Sequence, residues 1–201
     1  MFYLHPHKFK NKIVGAAELL QLYKLGERDF TEINLTRVSL EDVNLSDIRL
    51  QKANLAKSNL TNSIFKGADL NEANLSGATL WRTDLRFANL IQARCSRTLS
   101  IRANLSGANL HKALFDDGDL RLAYLVGANF SYADLSGANL SYADLSGANL
   151  SGANLERTIL TGTKLDNANL SNTNLDRAIL LGTSLERAIF SEYKNITREA
   201  S

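Results

Sequence analysis

The sequence predicts an all-β solenoid, a chain that winds in stacked coils around one apolar column. Every fifth residue from Phe30 to Phe190 is Leu or Phe, and only Cys95 and Ser100 depart from this rule among 33 positions. The residue two places before each of these centres is usually small, and the residue directly before the centre is Asn or Asp in 20 units. Repetition at a fixed period is the sequence signature of stacked repeat architectures.

A period of five is incompatible with a straight helix and with a straight strand. In an α-helix five residues advance about 500°, so successive leucines would spiral around the rod. In a strand they would alternate between the two faces, because side chains alternate with a period of two. The pattern is satisfied when the small residue and the centre both point inward and the next two residues turn a corner, where Gly and Ser are frequent. Stacked coils of this kind pair each short strand with the coils above and below it.

Several units carry a family resemblance. Residues 73–77 and 148–152 both read Ala-Asn-Leu-Ser-Gly, residues 68–70 read Ala-Asp-Leu, and these units resemble the pentapeptide-repeat proteins over about four fifths of the chain. The resemblance implies a right-handed quadrilateral β-helix with four pentapeptides in each coil. The 33 units would then form about eight coils, and a spacing of about 4.8 Å between coils makes the tower roughly 40 Å tall.

The segment before the repeats is expected to cap the first coil. Leu19, Leu20 and Tyr23 lie on one side of a short predicted helix that Gly26 would end. An uncovered first coil would expose strand edges and a mouth lined with leucine; a helix that also docks a partner is the alternative. Residues 18–30 resemble the opening of cyanobacterial pentapeptide-repeat proteins, among them a regulator of heterocyst formation, which implies a signalling or developmental role.

The predicted domain organisation has three parts. Residues 1–27 form a basic arm and the capping helix, residues 28–192 form the β-helix, and residues 193–201 form a polar tail. The arm is expected to lie on the first coils or to be partly disordered. In the tail, Tyr193 and Ile196 are the candidates to cover the last coil; without such a cover the C-terminal mouth would be an edge for oligomerisation.

Composition favours an elongated intracellular protein. The 201 residues are 44% apolar and carry a net charge of +2, enough for one sizeable core and too little for a strong global field. A single cysteine excludes an internal disulfide framework. Lysines and a glutamate interrupt residues 1–25, and no run of 18 apolar residues occurs. We expect a cytoplasmic protein with no membrane insertion.

No combination of residues predicts an active site. His5 and His7 lie in the arm and His111 at an outward corner, without the cysteine or carboxylate neighbours that a metal site needs. Cys95 occupies an inward centre, where a buried thiol is more plausible than a nucleophile. The Asn and Asp rows are expected to satisfy backbone groups at the corners. The sequence predicts no catalytic, cofactor-binding or metal-binding residue, no small-molecule substrate and no enzymatic activity.

Departures from the repeat concentrate on one side of the predicted tower. Residues 20 apart share a face, and the face with centres 40 to 180 carries more large apolar outward residues than the other three faces. Such surface favours a protein contact with aromatic and arginine anchors, to an unidentified partner or to a second copy of the chain. The residues of this predicted contact face are Trp81, Leu122, Tyr142, Ile159, Ile179, Leu181, Arg82, Arg102 and Arg121.

Two further apolar residues leave a choice open. Leu99 and Ile101 flank Ser100, so they either belong to the contact face or one of them turns inward through a β-bulge and fills the space beside the serine. A cluster of arginines at positions 82 to 102 is followed by Asp116, Asp117 and Asp119. Arginines and aspartates are expected to pair between neighbouring coils.

Two functions from different classes are therefore considered. The first is a protein-binding scaffold or regulatory binder that acts through the contact face. The second follows from the resemblance alone, because some pentapeptide-repeat proteins imitate duplex DNA and bind the type II topoisomerase DNA gyrase. Residues 31–190 carry no net charge. This neutrality disfavours DNA mimicry, which needs a negative surface, and it equally disfavours nucleic-acid binding, which needs a positive one.

Overall fold

Five-residue units follow one another without interruption through most of the chain. The computed structural model describes residues 8–191, which contain one helix, α1 (Ala16–Lys24), and then five-residue units that consist of a two-residue turn and one bridging residue, except for residues 181–185, which lack the bridge. No strand in this range is longer than a single bridging residue. From Asp29 to Ile189 every bridge is parallel and joins residues 20 apart, as between Asn54 and Asn74. Bridged residues are therefore four units apart, and the chain forms a repeat solenoid.

Hydrogen bonds between coils alternate with turns inside each unit. The Leu35 amide donates to the Asn54 carbonyl at 2.7 Å, and the Asn54 amide donates back to the Ile33 carbonyl at 2.9 Å. Within the unit the Val38 amide closes a turn on the Leu35 carbonyl at 3.2 Å. Every centre from Phe30 to Leu170 is at most 2% exposed. The predicted apolar column is confirmed, and it loosens only over the last coil.

The corners adopt a left-handed backbone whatever their residue type. At the second turn residue of every unit from Glu32 to Gly182, φ lies between 52° and 68°. This conformation costs an ordinary L-residue about 1 to 2 kcal/mol, which is why glycine is common there. Leu122 and Tyr142 nevertheless adopt it. The bonds between coils hold the corner in place where the side chain does not favour it.

The Asn and Asp rows satisfy the backbone at the corners, as predicted. The Asn54 side-chain carbonyl accepts from the Ala56 amide at 3.1 Å, two residues further on. Neighbouring coils add a second contact, since the Asn129 side-chain amide donates to Asn109 Oδ1 at 3.0 Å. These polar side chains therefore support the turns and the stacking of the coils.

The chain ahead of the helix already follows the five-residue pattern. Phe9 and Val14 are buried five residues apart, and Phe9 stacks on Phe30 with ring centroids 5.1 Å apart. Ile13 bridges to Asn34, an offset of 21 residues in place of 20. This part of the arm thus lies on the first coil as an incomplete coil of its own. Residues 1–7 lie outside the described range.

Helix α1 packs against the apolar core. Leu19 is fully buried, Leu20 and Tyr23 are half-buried against the core, and the Tyr23 hydroxyl donates to the Ser46 carbonyl at 2.8 Å. The helix ends in a Schellman motif, in which Gly26 has a φ of 94° and its amide donates to the Tyr23 carbonyl. Within residues 8–191 no helix has the length and apolar character needed to cross a membrane.

The coil that contains Ser100 keeps its register. Ser100 is buried, its hydroxyl donates to Thr98 Oγ1 at 3.1 Å, and Thr98 in turn donates to the Cys95 carbonyl at 3.0 Å. Leu99 forms the regular bridges to the coils on either side and is half-exposed, so no bulge turns it inward. Ile101 occupies an ordinary turn position and is partly buried. Internal hydrogen bonds replace the missing leucine at this centre.

Candidate functional site

The predicted contact face presents an uneven row of apolar side chains. Trp81 is 37% exposed, Leu122 40% and Leu181 73%, and Ile179 and Tyr142 are also exposed. Ile159 is partly buried, so less of its side chain reaches solvent than in these exposed residues. The bridges between residues 20 apart place all of these on one side of the solenoid. Most of the predicted residues therefore share an exposed side, although the row is not continuous.

Part of this row is gathered in a groove at one corner, which we call the corner groove. Its volume is about 420 Å³. Two neighbouring columns of side chains line it: one holds the second turn residues of successive coils, and the other holds the bridging residues that follow the corner. The lining residues are Arg82, Arg102, Leu122, Ala123, Tyr124, Tyr142, Asp144 and Lys164. Ile179 and Leu181 are not part of this lining.

Three residues of the corner groove were missed by assigning side chains to separate faces. Tyr124, Asp144 and Lys164 belong to the next face along the coil, yet they line the groove together with Leu122 and Tyr142. A single inward residue separates Leu122 from Tyr124. This spacing of two residues could have revealed that the residues are neighbours. The second turn residue of a corner and the bridging residue after it flank the same edge of the solenoid.

The arginines of the contact face differ in their partners. Arg82 stacks on the Trp81 ring with its guanidinium carbon 4.5 Å from the centroid. Arg121 donates twice to the Asp119 carboxylate, at 2.8 and 2.7 Å, and is occupied by a residue of its own unit. Within residues 8–191 no ion pair engages the guanidinium groups of Arg82 and Arg102. These two arginines therefore remain available to an incoming anion.

The opposite end of the corner groove is internally paired. Lys164 Nζ lies 3.6 Å from the Asp144 carboxylate. Partial burial acts to raise the pKa of Asp144, but hydrogen bonds from the Ser146 side chain and backbone, with the charge of Lys164, outweigh it and lower the pKa below its usual range. Asp144 is consequently ionised at neutral pH and neutralises Lys164.

Two arginines of the neighbouring cluster have acidic partners, one within its own unit and one in the next coil. Arg86 donates to the Asp84 carboxylate, with the closest contact at 2.7 Å, and this hydrogen bond lowers the pKa of Asp84. Arg97 approaches Asp117 of the next coil at 3.8 Å. The expected pairing between coils thus holds for Arg97, whereas Arg86 pairs within its own unit because the residue before a centre reaches the residue after it.

Tyr142 is held in place by a glycine in the following coil. A Cβ atom added at Gly162 would lie 2.7 Å from two Tyr142 ring atoms, so the ring rests on the bare backbone. Tyr132 lies on Gly152 in the same way. The two tyrosines are the second residues of identical ten-residue segments that begin at positions 131 and 141, and each is 64% exposed. They stand half a coil apart, so Tyr132 is a matched reference for Tyr142.

Gly162→Ala is expected to destabilise the solenoid by about 1 kcal/mol more than Gly147→Ala, the lower end of the cost of overpacking. Both glycines have left-handed φ, 63° and 67°, but an added Cβ meets nothing within 4 Å at Gly147. The backbone cost is therefore shared, and the difference isolates the displaced tyrosine ring. Urea midpoints measure it, and the difference should vanish in a Tyr142→Ala background. Equal midpoints in the wild-type background would contradict the contact.

Within residues 8–191, the histidine and cysteine side chains lie far apart in the sequence and have different surroundings. His111 Nδ1 lies 2.8 Å from Ser131 Oγ, and its ring meets the Tyr132 ring edge to face at 5.8 Å. Burial raises the pKa of the Cys95 thiol far above its ordinary value, so the thiol is protonated and a poor nucleophile. Residues 8–191 contain no group of three or more His, Cys, Asp or Glu side chains that could hold a metal ion. His5 and His7 lie outside this range.

A comparison with models of protein families shows to which family the chain belongs. The family model for pentapeptide repeats matches in eight copies, over residues 29–67, 68–98, 103–141, 138–175 and 160–191. The chain belongs to the pentapeptide-repeat family. The matched ranges leave out residues 99–102, which include the buried Ser100.

Solved structures of other pentapeptide-repeat proteins resemble the chain. HetL, involved in heterocyst differentiation regulation in the cyanobacterium Nostoc sp. strain PCC 7120, is 30% identical over 90% of this chain and 99% of HetL, with a TM-score of 0.29. The protein alr5209, from Nostoc PCC 7120, is 37% identical over 53% of this chain and 82% of its own, with a TM-score of 0.41. QnrB1, a plasmid-mediated fluoroquinolone resistance protein, is 17% identical over 81% and 92%, with a TM-score of 0.47. A comparison with curated proteins found no match.

Proposed function

We propose that the protein is a non-catalytic scaffold or regulatory binder that recognises a protein through its contact face. The observation that carries this proposal is the corner groove, where exposed Leu122, Tyr124 and Tyr142 lie beside Arg82 and Arg102. Aromatic and arginine side chains around an apolar centre are typical of binding hot spots. The rest of the contact face, with Trp81, Ile179 and Leu181, would extend the interface along the solenoid. The partner is a second protein or another copy of the chain.

A regulatory role is part of the same proposal. HetL is involved in regulating heterocyst differentiation, and its similarity to this chain extends over 90% of the sequence. The protein would regulate by occupying a surface of its partner, an action that an exposed apolar side with charged edges supports. We propose a signalling or developmental regulator that needs no cofactor and acts in the cytoplasm, a location that cell fractionation would test.

The detailed architecture belongs to the proposal as well. Four units between bridged residues and a left-handed residue at each corner support a right-handed quadrilateral β-helix of about eight coils. The buried Leu19 and the Tyr23 hydrogen bond support a capping role for α1. The proposed boundaries remain 1–27, 28–192 and 193–201; Tyr193 and Ile196, suggested as a C-terminal cover, lie outside the described residues.

A pair of substitutions in the corner groove tests the proposed function. Leu122→Asp with Tyr142→Asp should abolish capture of a binding partner in affinity purification, or lower the mass measured by light scattering if the partner is a second copy. Both positions have left-handed φ, which Asp adopts more readily than most residues, so the fold should persist. Ile179→Asp with Leu181→Asp tests the far end of the contact face in the same assays.

Tyr132→Asp is the matched control for these variants. It changes an equally exposed tyrosine in the same sequence context, half a coil away from the corner groove. The control should capture the partner as the wild type does. Unchanged capture and unchanged mass in both contact-face double variants would refute the proposed function, as would an equal loss in Tyr132→Asp.

Topoisomerase protection would require a different surface. A protein that imitates DNA must be markedly negative, but residues 31–190 carry no net charge and their arginines and aspartates often pair within single units. We therefore expect no rescue of DNA supercoiling when the protein is added to DNA gyrase and a quinolone. Protection at a low excess of the protein would favour the DNA-mimic function over the proposed one.

A further inference from the structure

The corner groove has a chemical character that specifies one kind of partner segment. Resting on the proposed function, we propose that it binds an extended peptide segment in which alternate residues carry two carboxylates and then a large apolar side chain. The carboxylates would lie on Arg82 and Arg102, and the apolar side chain on Leu122, Tyr124 and Tyr142. The segment belongs to a partner protein and is recognised by charge at one end and by apolar contact at the other.

Charge complementarity supports the acidic end. Three cations and one carboxylate line the corner groove, which leaves two net positive charges. Lys164 is neutralised by Asp144 at 3.6 Å, so the uncompensated charge belongs to Arg82 and Arg102. Nearby Arg86 and Arg121 are occupied by Asp84 and Asp119. A guanidinium group suits a carboxylate in particular, because its planar donors match the two oxygens.

One of these arginines is already oriented by its neighbour. The Arg82 guanidinium stacks over the Trp81 ring at 4.5 Å. Stacking restricts its rotamers, so less conformational entropy is lost when a carboxylate binds. Arg102 follows one coil later at the equivalent corner position, where its backbone has the same left-handed φ. The pair therefore presents two donor groups in succession along the solenoid.

The apolar end has matching dimensions. Corner residues of successive coils are about 4.8 Å apart, so the distance from Arg82 to Tyr142 along the axis is about 14 Å. An extended peptide advances about 3.3 Å per residue, so its first and fifth residues lie about 13 Å apart, and its first, third and fifth side chains point to the same side. Tyr142 forms a firm end because its ring rests on Gly162. A segment with acidic residues at its first and third positions and an apolar residue at its fifth position fits this length.

A single-stranded nucleic acid is disfavoured by the second column of the groove. That column holds Asp84, Asn104, Tyr124, Asp144 and Lys164 in order along the solenoid. A continuous phosphate backbone would approach the carboxylates of Asp84 and Asp144, and like charges at short distance are repelled. Two separate carboxylates placed only at the arginine end avoid Asp144, and the Asp84 carboxylate near that end is already paired with Arg86 at 2.7 Å.

Fluorescence anisotropy with synthetic peptides tests the proposal. The probe is a labelled Gly-Glu-Ser-Glu-Ser-Phe-Gly peptide with blocked ends; the comparison probes replace both Glu by Lys, or replace Phe by Ser. We expect saturable binding of the acidic and apolar probe, with at least about tenfold weaker binding of each comparison probe, in line with the loss of one charged hydrogen bond. Binding should weaken as salt is added. Equal affinity for the Glu and Lys probes, or no saturable binding, would overturn the proposal.

Matched variants locate the binding to the corner groove. Arg102→Asp should weaken binding of the acidic probe by about tenfold or more. Tyr142→Asp should weaken binding of the same probe by more than Arg102→Asp does. Lys112→Asp makes the same charge change at a left-handed corner half a coil away, and Tyr132→Asp is the control for the tyrosine. Both controls should leave the affinity unchanged. Equal losses in the controls would overturn the location, because they would indicate only a global charge or folding effect.

Two further measurements separate the possible failures. Tighter binding of a labelled single-stranded oligonucleotide than of the acidic peptide would overturn the peptide assignment in favour of a nucleic acid. If partner capture is lost in Leu122→Asp with Tyr142→Asp while the acidic probe does not bind the wild type, the proposed function stands and the peptide chemistry is refuted. If the probe binds and capture is unaffected by that double variant, the proposed function fails while the corner groove keeps its peptide specificity.

Discussion

Phe115→Ala is expected to lower the free energy of unfolding by about 3 to 5 kcal/mol. Phe115 is fully buried, and its ring meets the Phe130 ring edge to face with centroids 6.1 Å apart. An aromatic pair of this kind adds about 0.5 to 1.5 kcal/mol beyond the buried area. Phe115 also stands one coil after Cys95, the small thiol in the centre column, so little neighbouring bulk is available to refill the space. Urea unfolding followed by circular dichroism measures the loss.

Phe115→Leu is the control for this prediction. Leucine occupies most of the other centres, so the variant keeps the repeat while removing only the aromatic contact and part of the volume. Its loss of stability should be clearly smaller than that of Phe115→Ala. Similar midpoints for the two variants would show that the ring contributes through its contact with Phe130 alone, contrary to the expected role of its volume. Hydrogen exchange would show whether the coils on either side of Phe115 still unfold together.

Leu19→Asp is expected to detach α1 from the first coil and cause aggregation. Removing a buried leucine costs about 2 to 5 kcal/mol, and an unpaired carboxylate at the same place adds the cost of desolvating a charge. Leu19 is fully buried and is the one residue of the helix with that degree of burial. Once the helix is released, the edges and apolar centres of the first coil become exposed. Light scattering should report larger species, and hydrogen exchange should rise in residues 30–50.

Leu25→Asp provides the comparison for the helix. Leu25 directly follows α1 and is 77% exposed, so a carboxylate there stays in water. This variant should remain monodisperse wherever the wild type does, with unchanged exchange in residues 30–50. If Leu19→Asp is equally well behaved, α1 is dispensable to the solenoid and its proposed capping role is wrong.

The regular core could be predicted from the sequence because nearly every unit has the same local pattern of residues. The alternation of a small residue, a polar residue and a leucine is enough to place Ala53, Asn54 and Leu55 inward, outward and inward, as the structure has them. The polar row could be assigned to the turns for the same reason. Neither inference needs information from distant parts of the chain.

Features that depend on contacts between neighbouring coils were harder to predict from the sequence. The incomplete coil at Phe9 and Val14 is separated from Phe30 by the helix, and its offset of 21 residues hides it from a count in steps of five. Ser100 remains buried because its hydroxyl donates a hydrogen bond to Thr98 Oγ1. The repeat pattern does not predict this partner. Assigning side chains to flat faces placed the residues of the corner groove on two different faces. Tyr124 and Tyr142 come together only across a corner and between neighbouring coils.

The two identical ten-residue segments at 131 and 141 have a consequence for how such a surface can change. Ten residues are half a coil, so a duplication of this length copies each surface feature onto the opposite side of the solenoid, as Tyr132 and Tyr142 illustrate. Duplication alone therefore produces a molecule with two equivalent sides. Single substitutions are what make one side distinct, and an engineer could transplant the corner groove to the far side by moving its residues ten positions along the chain.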